Sequence, residues 1–442
     1  MKYLSIIILF FISVALCAQE KKWTLEECML YAVKNSPQKN KQDAQNSIYH
    51  QNYLEAIGKL LPSLSANTNV SFNFGRGLDS ETNTYTDINT FSNNYSLYTS
   101  LTLFDGFSNI ARLKLQKVNK ILGRQQLQEI KDLIAYETMD AYFTVLYNME
   151  MVKLAEEQLA ESSANLKQVK RMEELGMKGS PDVAELAAKE ASDNYNLTRQ
   201  KNLLTIGIIK LKEKMNYPID HDLVISNSEL SDKIITKLNE SALQIFEQSR
   251  LYNPKAQAAE SSLQAQKLSY KSAKGSLFPV LSADAGYSTN FSRYMDGSDY
   301  SSYKDQIRDK RGRYIGLSLS IPIFSGFSRS AQVKRSKAQV VIAESEKEET
   351  LRSLYSEIEQ AVADVNGQAD EYLQAQKQTD AMEIAHKVNQ RKFTEGLISA
   401  IELHTSANRL TQARAEELNS QLKYQLKHKL VDYYKGIPFI TE

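Results

Sequence analysis

The chain has 442 residues, with 54 Lys and Arg against 53 Asp and Glu and a formal net charge of +1. So even a balance leaves no basic footprint for DNA or RNA, and nucleic acid is excluded as a partner on that ground. Enzyme chemistry is excluded by its own missing parts: His50, His221, His386, His404 and His428 stand apart without HExxH or similar ligand spacing, and no phosphate-binding glycine loop occurs.

Residues 1–18 read as a secretory signal. Lys2 precedes an apolar run of 13 residues, Leu4–Leu16, and small residues surround Ala18. That run is shorter than the roughly 20 residues a membrane helix needs. Cleavage after Ala18 makes Gln19 the mature start; lipidation at Cys17 is the alternative, and bulky Leu16 stands against it. With Cys17 removed, Cys28 is the only thiol and no intrachain disulfide can form. No later segment is apolar enough for a transmembrane helix, so any membrane part must be made of strands.

An amphipathic helix opens at Thr24 and carries Cys28. After Pro62 the pattern changes to period two: Leu64, Ala66, Thr68, Val70 and Phe72 alternate with Ser65, Asn67, Asn69, Ser71 and Asn73. The same alternation runs through Tyr95–Leu103, Leu281–Phe291 and Ile315–Ile321. An ordinary soluble sheet also alternates. Here, however, the polar positions are uncharged Ser, Asn and Gly, and the runs approach the 9–11 residues of a tilted membrane strand. Long polar, Tyr-rich loops, 76–93 and 292–312, separate the paired strands.

From Ser108 to about Leu175, and from Ser328 to about Glu395, the chain is proline-free and helical in pattern, about 100 Å of rod each. In the second rod Leu351, Tyr355, Ile358, Val362, Val365, Ala369 and Tyr372 step by four and three, as in a coiled-coil seam. Each rod ends at a glycine. Gly176 stops the first, Gly179 or Ser180 caps the returning helix, and Pro181 sits in its first turn. Gly396 stops the second, and Ser399 with Glu402 forms a capping box.

The chain says all this twice. LTLFDGFSNIARLK (Leu101–Lys114) returns 220 positions on as IPIFSGFSRSAQVK (Ile321–Lys334), and LPSLSAN (Leu61–Asn67) returns 217 on as FPVLSAD (Phe278–Asp284). The expected organisation is a signal at 1–18, a first repeat at 19–220, a connector at 221–253 and a second repeat at 254–442. The first repeat holds strands at about 63–75 and 94–104 and a tip hairpin at about 173–183; the second holds strands at about 280–291 and 313–324 and a tip at about 393–403. Four strands cannot close a barrel, and an open edge in lipid strands backbone donors and acceptors. Membrane strands therefore require several chains in one barrel: two give eight strands, three give twelve. A periplasmic coiled-coil scaffold carrying a small soluble sheet is the competing reading, which leaves the uncharged polar strand faces unexplained.

At this point the residues resemble the TolC-like outer-membrane efflux family across nearly the whole mature chain. The resemblance rests on WTLEECMLYAVKNSP (Trp23–Pro37), on LPSLSAN, on the LFDGF and IFSGF strand ends, and on two tips with an acid six residues past glycine, Gly176 with Asp182 and Gly396 with Glu402. It implies a mostly helical homotrimer whose coiled-coil hairpins form a periplasmic α-barrel, joined to a shared 12-stranded outer-membrane β-barrel, four strands per chain. It implies a passive exit duct of an efflux or type I secretion system, without cofactor or metal. The partners are a periplasmic adaptor and an inner-membrane transporter, reached directly or through the adaptor. By the same analogy Gly176, Gly179, Asp182, Gly396, Leu397, Ser399 and Glu402 contact the adaptor, and Glu173, Lys387, Gln390 and Arg391 lie at the periplasmic gate. Asn67, Asn69, Asn73, Ser282 and Ser318 face the barrel lumen. The chain departs from members with acids before the second tip: here stand His386, Lys387, Arg391 and Lys392 with only Glu395 acidic, which implies an anion-tolerant mouth.

Overall fold

The computed structural model describes residues 22–78, 83–87, 89–227, 235–295 and 301–440. The signal segment, Cys17, and parts of the connector and of both outer loops lie outside the described residues. In chain order come β1 (Lys22–Trp23), α1 (Leu25–Asn35), α2 (Pro37–Gly58), β2 (Ser63–Asn73), β3 (Arg76–Leu78), β4 (Tyr85–Asp87), β5 (Thr90–Phe104), α3 (Ser108–Glu174) and α4 (Ser180–Met215). Then follow β6 (Val224–Ile225), α5 (Ala242–Tyr252), α6 (Pro254–Gly275), β7 (Val280–Tyr294), α7 (Tyr303–Asp309), β8 (Gly312–Ser320), α8 (Ser328–Thr394) and α9 (Ala400–Tyr434).

The elements keep the sequence offsets. α5 and α6 start 217 positions after α1 and α2, and α8 and α9 start 220 after α3 and α4. α5 thus falls inside the span read as connector, where it is the counterpart of α1. The connector is correspondingly shorter than 221–253. The two copies are also capped alike. Thr24 and Glu27 form a capping box on α1, with bonds of 3.3 and 3.0 Å, as Ser241 and Gln244 do on α5 with the same lengths. α2 and α6 both open on proline, preceded by Ser36 and Asn253, whose side chains accept the first free amides, those of Gln38 and Lys255.

Contacts divide the chain into two compact units. The helical unit comprises the described residues of Met1–Asp43, Gln125–Gln257 and Thr350–Glu442. One of its cores packs Leu25 and Met29 of α1 against Met139, Tyr142 and Leu146 of α3 and Leu211 and Met215 of α4. The parallel pair β1–β6 closes this core, and the Tyr142 hydroxyl donates to the Ser226 carbonyl at 2.6 Å. A second core joins Ile245 of α5 to Leu354, Ile358 and Val365 of α8 and to Tyr424 and Val431 of α9. The stripe on α8 is wider than the seam read from sequence. Leu354 and Ala361 are buried with Ile358, Val362, Val365 and Ala369, whereas Tyr355 and Tyr372 are only half-buried. α8 packs on two neighbours here, and a seam two positions wide per turn serves one.

The sheet unit comprises the described residues of Ala44–Arg124 and of Ala258–Glu349. Its four-stranded sheet has the order β2-β5-β7-β8, antiparallel throughout, so among the described residues β2 and β8 are open edges. Three strand bounds differ from expectation by three residues or more. β5 begins at Thr90 because it pairs with β2 to Asn73 and with β7 to Tyr294, and β7 runs three residues past 291 for the same reason. β8 stops at Ser320 instead of 324, since Pro322 has no N–H to offer a ladder. The outer loops also hold structure: β3 pairs with β4, and α7 lies near the outer end of β7, where the Thr289 hydroxyl donates to the Ile307 carbonyl at 2.8 Å.

The repeated GF motif is a backbone device. Gly106 and Phe107 have φ of +66° and +64°, and Gly326 and Phe327 have +57° and +61°. Two consecutive left-handed residues turn each strand end into the start of a long helix. Such a φ is costly for Phe, and its recurrence in both copies marks a required bend. Inside the chain Gly106 meets Gly275: a side chain on either would strike the other's backbone. Ser108 on α3 also donates to the Ser272 carbonyl at 3.0 Å.

Candidate functional site

The first hairpin tip joins α3 to α4. The Gly176 amide donates to the Glu173 carbonyl and the Met177 amide to the Met172 carbonyl, both at 2.8 Å, which with φ of +74° at Gly176 is a Schellman stop. The second tip repeats it: Gly396 donates to Phe393 at 3.0 Å and Leu397 to Lys392 at 2.8 Å, with φ of +76° at Gly396. Gly179, and not Ser180, is the N-cap of α4, and the Asp182 carboxylate accepts its amide at 3.3 Å. On α9 the Ser399 hydroxyl accepts the Glu402 amide at 3.3 Å, while Glu402 accepts the Ser399 amide at 3.0 Å. The acid six residues past each glycine therefore anchors the returning helix.

Behind the tips a third core ties the two hairpins together, with Leu166, Val169 and Leu186 from the first and Phe393, Ala400 and Leu403 from the second. In front of it Leu175, Met177, Leu397 and Ile401 are exposed by 58 to 73 %. Only Leu397 among them was legible as a site residue; the others carry no motif, and their exposure follows from the geometry of the turn.

Further back along the rods the two hairpins share a polar cluster. Glu161 on α3 accepts the Gln390 amide at 2.9 Å and lies 2.9 Å from Nε2 of His386, whose Nδ1 is 3.2 Å from the Ser406 hydroxyl. His386 is 4 % exposed. This corrects the grouping of His386 with the mouth's basic residues: it is held inside by Glu161, and Lys387, Arg391 and Lys392 remain exposed. Burial pushes the Glu161 carboxyl upward, but hydrogen bonds from His386 and Gln390 and the charges of His386 and Lys189 outweigh it, leaving the group below its usual range. Of the four gate candidates, Gln390 belongs to this cluster, Lys387 pairs with Glu383 at 3.4 Å, Glu173 is half-buried and Arg391 is exposed. A cavity of about 210 Å³ beside it is lined by Glu157, Glu161, Glu383, His386 and Arg414.

His404 is half-buried. Its ring lies 3.1 Å from the Asn408 amide, and burial followed by nearby Lys189 lowers its pKa. Among the described residues no three His, Cys, Asp or Glu side chains converge as a metal site.

In the sheet the register sorts the side chains. Directly paired residues share a face, so Asn67, Asn69, Asn73, Ser282 and Ser318 all lie on one side, with Ser96, Ser100 and Ser288. The other side carries Leu64, Val70, Leu97, Ile315, Leu317 and Leu319, exposed by 43 to 90 %. On the polar side sequence reading missed Tyr98 and Asp284, joined by a 2.6 Å bond from the Tyr98 hydroxyl to the carboxylate. They are 186 residues apart, and only strand pairing reveals the contact.

Comparison with known proteins agrees with this geometry. Residues 245–430 match the family model of the outer membrane efflux proteins. The chain is 24% identical over 408 residues to the outer membrane protein TolC of Salmonella enteritidis, covering 89% of this chain and 79% of that protein. It is 23% identical over 397 residues to the outer membrane efflux protein BepC of Brucella suis, covering 88% and 82%. Among solved structures, the outer-membrane channel OprN superposes with a TM-score of 0.78 at 16% identity, covering 94% of this chain and 90% of its own. The Campylobacter jejuni CmeC channel gives 0.78 at 15% identity, covering 95% and 87%. Long helical hairpins together with a two-faced antiparallel sheet define the class: an outer-membrane channel protein with a large periplasmic part. Within that class, the chain is similar to the TolC-like outer-membrane efflux proteins over most of its length, and its second half matches the family model.

Proposed function

We propose that this chain is one of three protomers of an exit duct. It conducts substrate passively to the outside from a periplasmic adaptor and an inner-membrane transporter, in a tripartite efflux or type I secretion system. The observation that carries the reading is a sheet with two open edges and an exposed apolar face. In water that face costs about 25 cal/mol per Å², and in lipid it costs nothing, provided the edges are closed.

The repeat supports the means of closure. Inside the chain β5 of one copy pairs with β7 of the other, Tyr98 opposite Gly286. Shifted by the repeat offsets, that pair becomes Ser318 of β8 opposite Asn69 of β2, which are the two open edges. The helix contact follows the same rule. Gly106 and Gly275 touch within the chain, while their counterparts Gly326 and Gly58 have open space around them. A neighbouring copy fills both places with contacts the chain already makes once. Twelve strands from three chains then close the barrel, with Asn67, Asn69, Asn73, Ser282 and Ser318 facing the lumen.

Gly176, Gly179, Asp182, Gly396, Leu397, Ser399 and Glu402 present the tips to the adaptor, where exposed Leu175, Met177 and Ile401 add apolar grip. Glu173, Lys387, Gln390 and Arg391 form the approach to the mouth, and exposed Lys387, Arg391 and Lys392 weaken its preference for cations. Opening requires the hairpins to part.

The test is twofold. The detergent-extracted protein, weighed by light scattering with bound detergent subtracted, is expected at three chain masses. Asn69→Cys with Ser318→Cys, on oxidation, is expected to crosslink between chains and never within one. A soluble monomer without detergent would favour the scaffold reading and end this one.

A further inference from the structure

We propose that Asp284, framed by Tyr98 and Tyr314, is a cation-selective site in the wall of the β-barrel; this rests on the channel reading above. Among the described residues Asp284 is the only formally charged side chain on the polar face of the four-stranded sheet, which is otherwise Ser, Asn, Thr, Gly, Tyr and Val280. It sits in a row of small neighbours. Ser100 lies opposite on one side and Gly316 on the other, and a side chain at Gly316 would meet nothing within 4 Å, so the carboxylate opens to the lumen. One row outward, Tyr98 and Tyr314 flank Gly286. The Tyr314 ring lies where a Gly286 side chain would be, and the Tyr98 hydroxyl reaches back to Asp284 at 2.6 Å.

The duplication shows that the fold does not require this cluster. At the counterpart of Asp284 the first copy has Asn67, at that of Tyr98 the second copy has Ser318, and at that of Tyr314 the first copy has Asn94. Three positions differ between the copies, and the cluster draws on both: Asp284 and Tyr314 come from the second copy and Tyr98 from the first, against Asn67, Asn94 and Ser318 at their counterparts. The same backbone pairing is met without them at the opposite seam, where Asn69 and Ser318 are expected to face each other. A carboxylate beside tyrosine faces is the chemistry that holds a cation, from an alkali ion to an organic ammonium group. In a barrel of twelve strands the wall stands about 12 Å from the axis, set by strand spacing and tilt. Tyrosine side chains narrow it further, and a ring of carboxylates acts on a passing ion within about one Debye length at 0.1 M salt.

The experiment is reversal potential in a KCl gradient across planar bilayers, comparing wild type with Asp284→Asn and Asn67→Asp. The first substitution makes the second copy match the first; the second makes the first copy match the second. Asp284→Asn is expected to lower the cation-to-anion permeability ratio about threefold, the scale of one unit charge acting through water at several Å. Asn67→Asp is expected to raise the ratio, and it keeps the idea testable should Asp284→Asn fail to assemble. Because each variant is read against wild type, the basic residues at the mouth cancel. Ratios unchanged in both variants, with channels open, would overturn the site while leaving the duct intact. A wild type that stays soluble without detergent and inserts into no bilayer would overturn the duct and the site together.

Discussion

The helical unit and the sheet unit bury opposite things. In the helical unit the large apolar side chains turn inward: Met139, Tyr142, Leu146 and Leu354 have no measurable exposure. In the sheet unit they turn out, with Ile315 exposed by 90 % and Leu317 by 72 %, while Ser and Asn line the other face. One chain is thus written for two solvents. Water drives the first arrangement by excluding apolar surface, whereas the second is stable only where the surroundings are as apolar as the strands.

The contrast can be broken from either side. The largest effect is expected in the helical core, where Leu146→Ala removes a fully buried side chain and should cost about 2–5 kcal/mol, seen as a lower melting temperature of the purified protein. Next is the exposed sheet face. Ile315→Arg should cost roughly 2–4 kcal/mol in the bilayer and deplete the protein from outer membranes, though the same change on a water-facing strand would be nearly free. Undiminished recovery would remove the lipid from the comparison. A smaller loss, roughly 1–2 kcal/mol, is expected for Gly396→Ala, because its φ of +76° is left-handed; Gly396→Asn should recover part of it.

The smallest effect sharpens the helical side through pH. The Glu161 carboxyl lies below its usual range when folded, so it contributes stability that is present above that range and lost as pH falls through its folded value. The melting temperature of wild type should exceed that of Glu161→Gln at about pH 6, and the gap should close as the pH drops below about 4.5, the ordinary glutamate value. A gap that does not narrow at all between about pH 6 and about pH 3 would mean Glu161 acts by shape and not by charge.

Much of this was legible in the chain because it depends on neighbours in sequence. Thr24 with Glu27 and Ser399 with Glu402 cap their helices over three residues, Gly176 and Gly396 stop the rods, and alternation separates Ser and Asn from Leu and Val. Local rules also mislead. Alternation carries the fourth strand to Phe324, but Pro322 cannot enter a ladder; a connector drawn over 221–253 covers a helix, α5, whose cap Ser241 repeats Thr24. In sequence His386 is one more basic residue at the mouth, and only the fold sets it against Glu161, 225 positions away.

What the sequence by itself determined is the duplicated plan: two rods, two tips, two strand pairs and the face each strand residue must take. These follow from periods of 3.6 and 2 and from caps and glycines acting over a few residues. The tertiary structure alone decided which residues meet across the copies: Glu161 with His386, Gly106 with Gly275, Tyr98 with Asp284. Such pairs lie far apart in the chain and are selected by strand register and helix packing, which no local pattern encodes.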